Sequence, residues 1–170
     1  MIRRARLDDA PALAALNERT VWATYGPHVA GEKIASVAEW MPERWRERLA
    51  GAGGPRSEVW VLERDGAIGG WVTVGEARDA DARAGDGELW ALYVDPDRVG
   101  AGDGGPLEAH AVQRLRELGF AAATLWVMAY NERAIGFYRH RGWAPDDRQG
   151  TNPYAGWGPA LRMRRTLGER

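Results

Sequence analysis

Apolar and polar residues follow a helical period in some stretches of the chain and the period of a strand in others. Helical spacing up to Tyr25-Gly26-Pro27 is roughly followed by Leu13, Leu16, Val21 and Trp22. Asp8 or Asp9 can cap the start of that helix. The other predicted elements are strands over 2–7, 59–62, 67–74, 88–94, 121–128 and 160–167, helices over 42–49, 106–118 and 131–140, a hairpin turn at 65–66, and a strand that opens at 142–143. Strands and helices are thus interspersed along the whole chain.

Two apolar runs, 88–94 and 121–128, flank a glycine-rich segment, Val99-Gly100-Ala101-Gly102-Asp103-Gly104-Gly105. The first run has too little alternation for a solvated face, so we expect a central strand. A strand, a glycine loop, a helix and a second strand in this order present free backbone N–H groups to a phosphate. The segment therefore predicts a phosphate-binding loop.

Three other readings of the glycines are weaker. In a dinucleotide-binding fold the glycines follow the strand directly and an acidic residue ends the next strand, whereas here 95–98 intervene and the next strand ends Trp126-Val127-Met128. A nucleotide P-loop needs Gly-Lys-Ser/Thr, which is absent from the sequence. A plain tight turn needs only one or two glycines.

Composition narrows the function classes. The 170 residues carry a net charge of -1 with a pI of about 6.3, so no basic field favours nucleic acid or an anionic membrane. Cysteine is absent, which excludes disulfides, cysteine-ligated zinc and a thiolate nucleophile. No apolar run reaches the roughly 20 residues of a membrane helix and no signal core is present. We expect one cytoplasmic domain over 1–170.

Two motifs carry a family resemblance. Leu92-Tyr93-Val94-Asp95-Pro96 precedes the alternating glycines, and Asn131-x-x-Ala134-x-x-Phe137-Tyr138-x-x-x-Gly142-Trp143 follows them. In this order and spacing they resemble the GNAT superfamily of N-acetyltransferases, strongly over 88–143 and loosely elsewhere. The resemblance implies an α+β fold with three layers, α/β/α. Its central sheet is mixed and mainly antiparallel, and it splays open between the strands 88–94 and 121–128.

The resemblance also implies acetyl-CoA in that opening, with no metal. Its pantetheine arm would pair with the backbone at Leu92 and Val94, and its pyrophosphate would accept N–H bonds from 99–104. The cofactor-binding residues implied in this way are Leu92, Tyr93, Val94, Val99, Gly100, Ala101, Gly102, Asp103, Gly104, Gly105, Asn131, Ala134, Phe137 and Tyr138. The physics is consistent, because a helix N-terminus favours an anion and glycines allow close backbone approach.

Three residues depart from the family's pattern: Val99, Asp103 and Pro106. Val99 is a mild change and Pro106 suits a first helical turn. Asp103 leaves two alternatives. Its carboxylate could cap the helix and repel the pyrophosphate, or its side chain could point to solvent at little cost.

For catalysis we expect direct attack by an amine in a ternary complex, because no cysteine can carry the acetyl group. The resemblance makes Tyr138 the acid that protonates the leaving thiolate, against the alternative of a core tyrosine. Glu88 is the first candidate for the base, acting directly or through water, and Glu76 the second. His28, His110 and His140 lack metal-ligand spacing, and we expect His110 and His140 at the surface.

The acceptor site is expected between 22–33 and 145–159. Trp22, Tyr25, Tyr154 and Trp157 are candidates for an aromatic wall that holds a cationic amine, with core or interface packing as the alternative. The acidic loop 76–86 favours a cationic small molecule. Nine tryptophans in a small domain are also compatible with a homodimer surface.

The sequence therefore predicts transfer of an acetyl group from acetyl-CoA to a primary amine, on a small molecule or at a protein N-terminus. The alternative is a non-catalytic domain that binds or senses CoA through a degenerate phosphate loop. Asp103 and Pro106 favour that alternative, whereas the intact Asn131 and Tyr138 oppose it.

Overall fold

The computed structural model describes residues 1–148 and 152–168, so 149–151 of the predicted 145–159 loop lie outside the described residues. Seven strands form one open sheet in the order β1-β2-β3-β4-β5-β7-β6, and each neighbouring pair is antiparallel except β4 with β5. The elements are β1 Ile2–Arg4, α1 Ala10–Tyr25, α2 Gly31–Glu47, β2 Glu58–Arg64, β3 Ala67–Glu76, β4 Asp86–Val94, α3 Gly104–Glu117, β5 Ala122–Met128, α4 Glu132–His140, β6 Ala144–Pro145 and β7 Ala160–Thr166. The predicted α+β class with a mixed, mainly antiparallel sheet is confirmed.

Helices cover both faces of this sheet. On one face, Leu13 of α1 and Trp45 of α2 pack against Val61 of β2 in one buried apolar cluster. On the other face, α3 and α4 pack against the alternate strand residues in a second cluster that includes Leu107 and Leu115. Successive side chains of a strand point to opposite faces of the sheet. Alternate residues of each strand therefore face the α1–α2 layer and the α3–α4 layer. None of the helices in the described residues combines the length and apolar character of a membrane span.

The sheet opens between its two central strands. β4 and β5 pair only from Asp86 to Glu88 and from Ala122 to Thr124, while the rest of β5 pairs with β7. From Leu89 to Val94, β4 therefore has a neighbour on the β3 side alone. The predicted splay is confirmed, and it leaves backbone donors and acceptors of β4 exposed to whatever occupies the gap.

A bulge in β4 lies just after the point where the pairing of β4 with β5 ends. The β3 residues Thr73 and Val74 face Ala91 and Leu89, so Trp90 is an extra residue on β4. Bulges bend a strand and re-aim the side chain at the irregularity. Here the Trp90 ring lies directly over Gly75, where an added Cβ would be 2.4 Å from the ring.

The second helix differs from its prediction. The sequence predicted a helix over 42–49, but α2 runs from Gly31 to Glu47 with Pro42 in its interior. A proline inside a helix removes a hydrogen bond and strains the preceding turn. Burial of Ile34 and Trp45 on the face towards α1 and the sheet compensates that loss.

A buried carboxylate links the elements on either side of the glycine loop. Glu108 of α3 is 1 % exposed and accepts hydrogen bonds from Trp143 Nε1 at 2.8 Å, Arg141 Nε at 2.5 Å and Arg165 Nη1 at 2.8 Å. Arg141 and Trp143 follow α4 along the chain, and Arg165 belongs to β7. Glu108 therefore fixes α3 against the helix that carries Tyr138.

We expect Glu108→Gln to lower the free energy of unfolding by about 2–3 kcal/mol, because it leaves two arginines without their buried counter-charge. Urea denaturation measures this change. Glu43→Gln is the matched control, since the Glu43 side chain is 68 % exposed and its pair with Arg46 should contribute less than about 0.5 kcal/mol. Equal losses in the two variants would contradict the assigned role of Glu108.

Candidate active site

A cleft of about 930 Å³ occupies the opening between β4 and β5. The glycine loop and the start of α3 close one end. The other end, called the acceptor end, is bordered by the α1–α2 region and by residues 154–157. Every residue of the predicted cofactor-binding set except Ala101 lines this cleft: Leu92, Tyr93, Val94, Val99, Gly100, Gly102, Asp103, Gly104, Gly105, Asn131, Ala134, Phe137 and Tyr138. The two motifs, separate in sequence, therefore meet around one cavity.

The backbone conformation of the glycine loop requires glycine at two positions. Gly100 and Gly102 have φ angles of 98° and 87°, a region that residues with a Cβ rarely adopt. No acceptor among the described residues contacts the backbone N–H groups of Gly100, Gly102, Gly104 or Gly105. Together with the N-terminus of α3, these groups form a suitable seat for an anion such as a pyrophosphate.

Asp103 follows neither of the two alternatives stated for it. Its side chain makes no capping hydrogen bond to α3, and the residue is 3 % exposed rather than turned to solvent. The carboxylate accepts hydrogen bonds from Arg64 Nη2 at 3.0 Å and Arg98 Nε at 2.9 Å. Burial alone would raise the pKa of Asp103, but the two guanidinium groups hold it below its ordinary value. The negative charge is thus compensated inside the protein.

Helix α4 presents the second motif to the cleft. Asn131 precedes the helix, and its side-chain oxygen accepts a hydrogen bond from the backbone N–H of Ala134 at 3.1 Å. Tyr138 packs edge-on against Phe137 and Trp143. Burial raises the pKa of the Tyr138 phenol well above its ordinary value, so it remains a proton donor throughout the neutral range.

Glu88, the predicted base, does not line the cleft. It is 2 % exposed, and its carboxylate accepts hydrogen bonds from Arg78 Nε at 3.1 Å, Nη2 at 2.5 Å and backbone N at 3.0 Å. A carboxylate held in this way is poorly placed to take a proton from a bound amine. Glu76, the second candidate, is exposed and pairs with Arg56 at 3.4 Å.

The aromatic wall forms from three of its four predicted members. Tyr25, Tyr154 and Trp157 line the cleft, with Tyr25 and Trp157 in edge contact at 5.5 Å between ring centroids. Trp22 does not line it and is instead 42 % exposed on the outer side of α1. The hydroxyl groups of Tyr25 and Tyr93 lie 2.5 Å apart, and burial raises the pKa of Tyr25 to about 12.

The acidic loop does not supply free negative charge to the cleft. Asp79 and Asp81 pair with Arg162 at 3.3 Å and 2.7 Å. Asp86 pairs with Arg164 at 2.7 Å. The loop is therefore neutralised by β7, and it gives no support to the expectation of a cationic acceptor.

The sequence reading also missed residues that the fold brings to the cleft. Arg44, Arg48 and Arg78 lie at the acceptor end together with Trp90, and Arg133 lies beside Gly100. Arg133 lies inside the second motif and could have been noticed there. The other arginines come from separate elements and carry no local signal. His110, expected at the surface, is half-buried against the Trp60 ring at 4.3 Å, and burial lowers its pKa.

The cleft fits an extended ligand with an amide-bearing arm and a pyrophosphate. The open edge of β4 can pair with amides, and the N–H groups of the glycine loop can donate hydrogen bonds to phosphate oxygens. Within residues 1–148 and 152–168, no group of three or more acidic or histidine side chains is placed to hold a metal ion. A splayed mixed sheet with an anion seat beside the splay defines the class of protein, an acyltransferase fold.

Comparison with known proteins identifies the family. Residues 20–143 match the acetyltransferase (GNAT) family, and the chain belongs to that family. The predicted family and the predicted enzyme class, an acyltransferase, are confirmed. The chain is 32% identical over 143 residues to the peptidyl-lysine N-acetyltransferase YjaB of Escherichia coli, covering 83% of this chain and 80% of that protein.

Two further comparisons differ in how much of the other protein is matched. The mycothiol acetyltransferase of Cellulomonas flavigena is 34% identical over 115 residues, which are 61% of this chain but only 33% of that longer protein. The crystal structure of the PaiA N-acetyltransferase from Thermoplasma acidophilum, in complex with coenzyme A, superimposes with a TM-score of 0.77 at 19% identity. That superposition covers 98% of both chains. It shows that the two proteins share a fold.

We expect Asp103→Asn to lower the free energy of unfolding by about 1–3 kcal/mol at neutral pH, because Arg64 and Arg98 lose their common counter-charge. The folded-state pKa of Asp103 is depressed below 3.8, so its contribution is complete above that value and is lost as the pH falls through the folded-state pKa. Urea denaturation at a series of pH values measures the difference between variant and wild type.

The difference should be constant at neutral pH and shrink only in the acid range below the ordinary aspartate pKa. Asp97→Asn is the control, since Asp97 is an exposed acid of the same loop. If Asp103→Asn is as stable as Asp97→Asn at neutral pH, the two arginine pairs do not hold the loop.

Proposed function

We propose that this domain transfers an acetyl group from acetyl-CoA to a primary amine by direct attack in a ternary complex. The observation that carries the proposal is the convergence of the anion seat, the open β4 edge and Tyr138 on one cleft. Family membership supports the same reaction. One similar chain is named a peptidyl-lysine N-acetyltransferase and another a mycothiol acetyltransferase, so the proposed acceptor is either a small molecule or a peptide amine.

In this scheme each protein group has one task. The backbone N–H groups of Gly100, Gly102, Gly104 and Gly105 bind the pyrophosphate, while the free edge of β4 at Leu92 and Val94 aligns the pantetheine arm. Acetyl-CoA supplies an activated thioester whose C–S bond breaks as the C–N bond forms. Tyr138 donates its proton to the leaving sulfur, and the attacking amine loses a proton.

We assign removal of the amine proton to water in the cleft rather than to Glu88. The three hydrogen bonds from Arg78 occupy the Glu88 carboxylate, and no other acid except Asp103 lines the cavity in the described part of the chain. Asp103 is itself paired with Arg64 and Arg98. No carboxylate among the described residues of the cleft is therefore free for this step, and solvent is the acceptor we assign, although His28 also lines the cleft.

The alternative, a non-catalytic CoA-sensing domain, loses its main support. It depended on the expectation that Asp103 would repel the pyrophosphate, but the Asp103 charge is compensated by two arginines. Pro106 lies in the first turn of α3, where a missing N–H costs little. Both departures from the family's pattern are therefore compatible with cofactor binding.

Acetyl-CoA at about a hundredfold excess over its Kd should raise the unfolding midpoint by roughly 5–10 °C, because it binds the folded state alone. Gly102→Ala should weaken binding about tenfold, since its methyl group would intrude on the phosphate seat. Gly85→Ala is matched to it, because Gly85 also has a positive φ and open space around its Cβ position but lies outside the cleft. Equal affinity in the two variants would refute the location of the seat.

Tyr138→Phe should lower kcat by at least about tenfold while leaving the Kd for acetyl-CoA nearly unchanged, because it removes only the proton donor. Release of free thiol across a panel of amines measures kcat. Because the Tyr138 pKa is raised above its ordinary value of 10.0, wild-type activity should show no loss from deprotonation of Tyr138 below that pH. A smaller effect on kcat removes Tyr138 from the mechanism.

A further inference from the structure

The acceptor end of the cleft holds three arginines that the acetyl-transfer scheme does not use. Arg44 lies on α2, Arg48 on the turn that follows it, and Arg78 just after β3, and all three line the cavity. Tyr154 lines the same cavity. Burial raises the pKa of Tyr154, and the positive charge of Arg78 opposes part of that rise. The arginines therefore lie beside the aromatic wall.

Arg48 is a half-buried cation without a counter-charge. No carboxylate within the described residues pairs with it, and its guanidinium lies 5.1 Å from the centre of the Trp90 ring. Burial, followed by repulsion from Arg78 and Arg44, lowers the Arg48 pKa to about 10, so the group stays charged at neutral pH. An unpaired cation in a partly desolvated place costs free energy, which a bound anion would recover.

Arg78 is held in position from one side by a carboxylate. Glu88 engages its Nε and Nη2 atoms at 3.1 Å and 2.5 Å, and the Tyr154 hydroxyl lies close to the same guanidinium group. Its guanidinium lies 4.6 Å from the centre of the same Trp90 ring. The ring itself is fixed by its Nε1–H bond to the Glu76 carbonyl at 3.0 Å and by the close approach of Gly75.

The charge balance of the cleft points to a negative ligand at this end. Among the described residues that line it, Asp103 is the one acidic side chain, and it lies at the opposite end beside the glycine loop with its own two arginines. The pyrophosphate seat at that end accounts for negative charge there. It does not account for Arg48 and Arg78, which flank Trp90.

We propose that Arg48 and Arg78, aligned on Trp90, bind an oxyanion group, a carboxylate or a phosphate, carried by the amine acceptor. Planar guanidinium groups bind these oxyanions with paired hydrogen bonds, and they do so more strongly where water is partly excluded. The substrate class is therefore a small amine with a negative group, in contrast to the cationic molecule that the acidic loop suggested. This inference rests on the proposed acetyl transfer.

The cover of the acceptor end favours a small molecule over a peptide. The Lys33 ammonium group donates a hydrogen bond to the Gly156 carbonyl and lies 5.5 Å from the centre of the Trp157 ring. Tyr25 touches the same ring from α1. These contacts join the start of α2 to the segment after residue 152, so a long chain has little room to pass there.

The test compares matched acceptors in a thiol-release assay with acetyl-CoA. Several amino acids are paired with their neutral amides, and O-phosphoethanolamine is paired with ethanolamine, with rates corrected for the fraction of free amine. At least one charged member should exceed its neutral partner about tenfold in kcat/KM, and Arg48→Gln should abolish that preference. Arg46→Gln is the control, because Arg46 is an exposed neighbour that pairs with Glu43.

Preference for the amino acids identifies the oxyanion as a carboxylate, and preference for O-phosphoethanolamine identifies it as a phosphate. The inference is overturned if no pair differs more than about threefold, or if Arg48→Gln keeps the preference. Turnover of acidic peptides alone would also overturn it, since the acceptor would then be a macromolecule.

A binding measurement separates failure of this inference from failure of the proposed function. Isothermal titration with N-acetylated amino acids and their amides, and with N-acetylated O-phosphoethanolamine, which represent the products, needs no turnover. Carboxylate binding that weakens about tenfold in Arg48→Gln supports the anion site even if acetyl-CoA is not consumed. Amine turnover without binding of either the N-acetylated amino acids or N-acetylated O-phosphoethanolamine would retain the acetyltransferase and refute the anion site.

Discussion

The end of the β4–β5 ladder at Glu88 and Thr124 is the constraint on which the rest of the structure depends. A sheet that stops pairing in its centre leaves polar backbone groups without partners, which is costly unless a ligand or water supplies them. The bulge at Trp90 lies just beyond this point and turns one large side chain towards the acceptor end. The same local break thus provides both the unpaired edge of β4 for the cofactor and the Trp90 ring at the acceptor end.

Arginine and carboxylate clusters stabilise the elements around the opening. Glu108 joins α3 to the segment after α4, Asp103 joins the glycine loop to β2, and Arg162 joins β7 to the acidic loop. Each cluster includes a side chain that is at most 4 % exposed. Hydrogen bonds of that kind are costly to break, because they leave a buried charge without a partner.

Local signals made most of the fold predictable from sequence. The glycine spacing, the helix over 131–140 and the Asp65-Gly66 turn depend on residues within a few positions of one another, and all lie where the sequence placed them. The start of α2 was missed because Pro42 lies in the helix interior, a position that proline rarely occupies. Trp22 was misplaced because roughly helical spacing does not say which flank of an amphipathic helix meets the cavity.

The charges of the site were beyond sequence reasoning for a different reason. Asp103 and Arg64 are 39 positions apart, and Arg48 and Trp90, whose guanidinium and ring lie 5.1 Å apart, are separated by 42 positions. Such pairs exist only once the sheet has formed, and no spacing rule relates their positions. For this reason the sequence left open whether the Asp103 carboxylate repels the pyrophosphate or points to solvent, and the acceptor was expected to be a cation.

The pairing of Asp103 also bears on the entropy of ligand binding. A segment with four glycines in seven residues has many accessible conformations, and a ligand that selects one of them loses affinity in proportion to that freedom. The Asp103 carboxylate, held by Arg64 and Arg98, restricts the segment before any ligand arrives. The residue that interrupts the family's pattern thus serves as preorganisation: it transfers the ordering cost of the loop from the binding step to the folding of the protein.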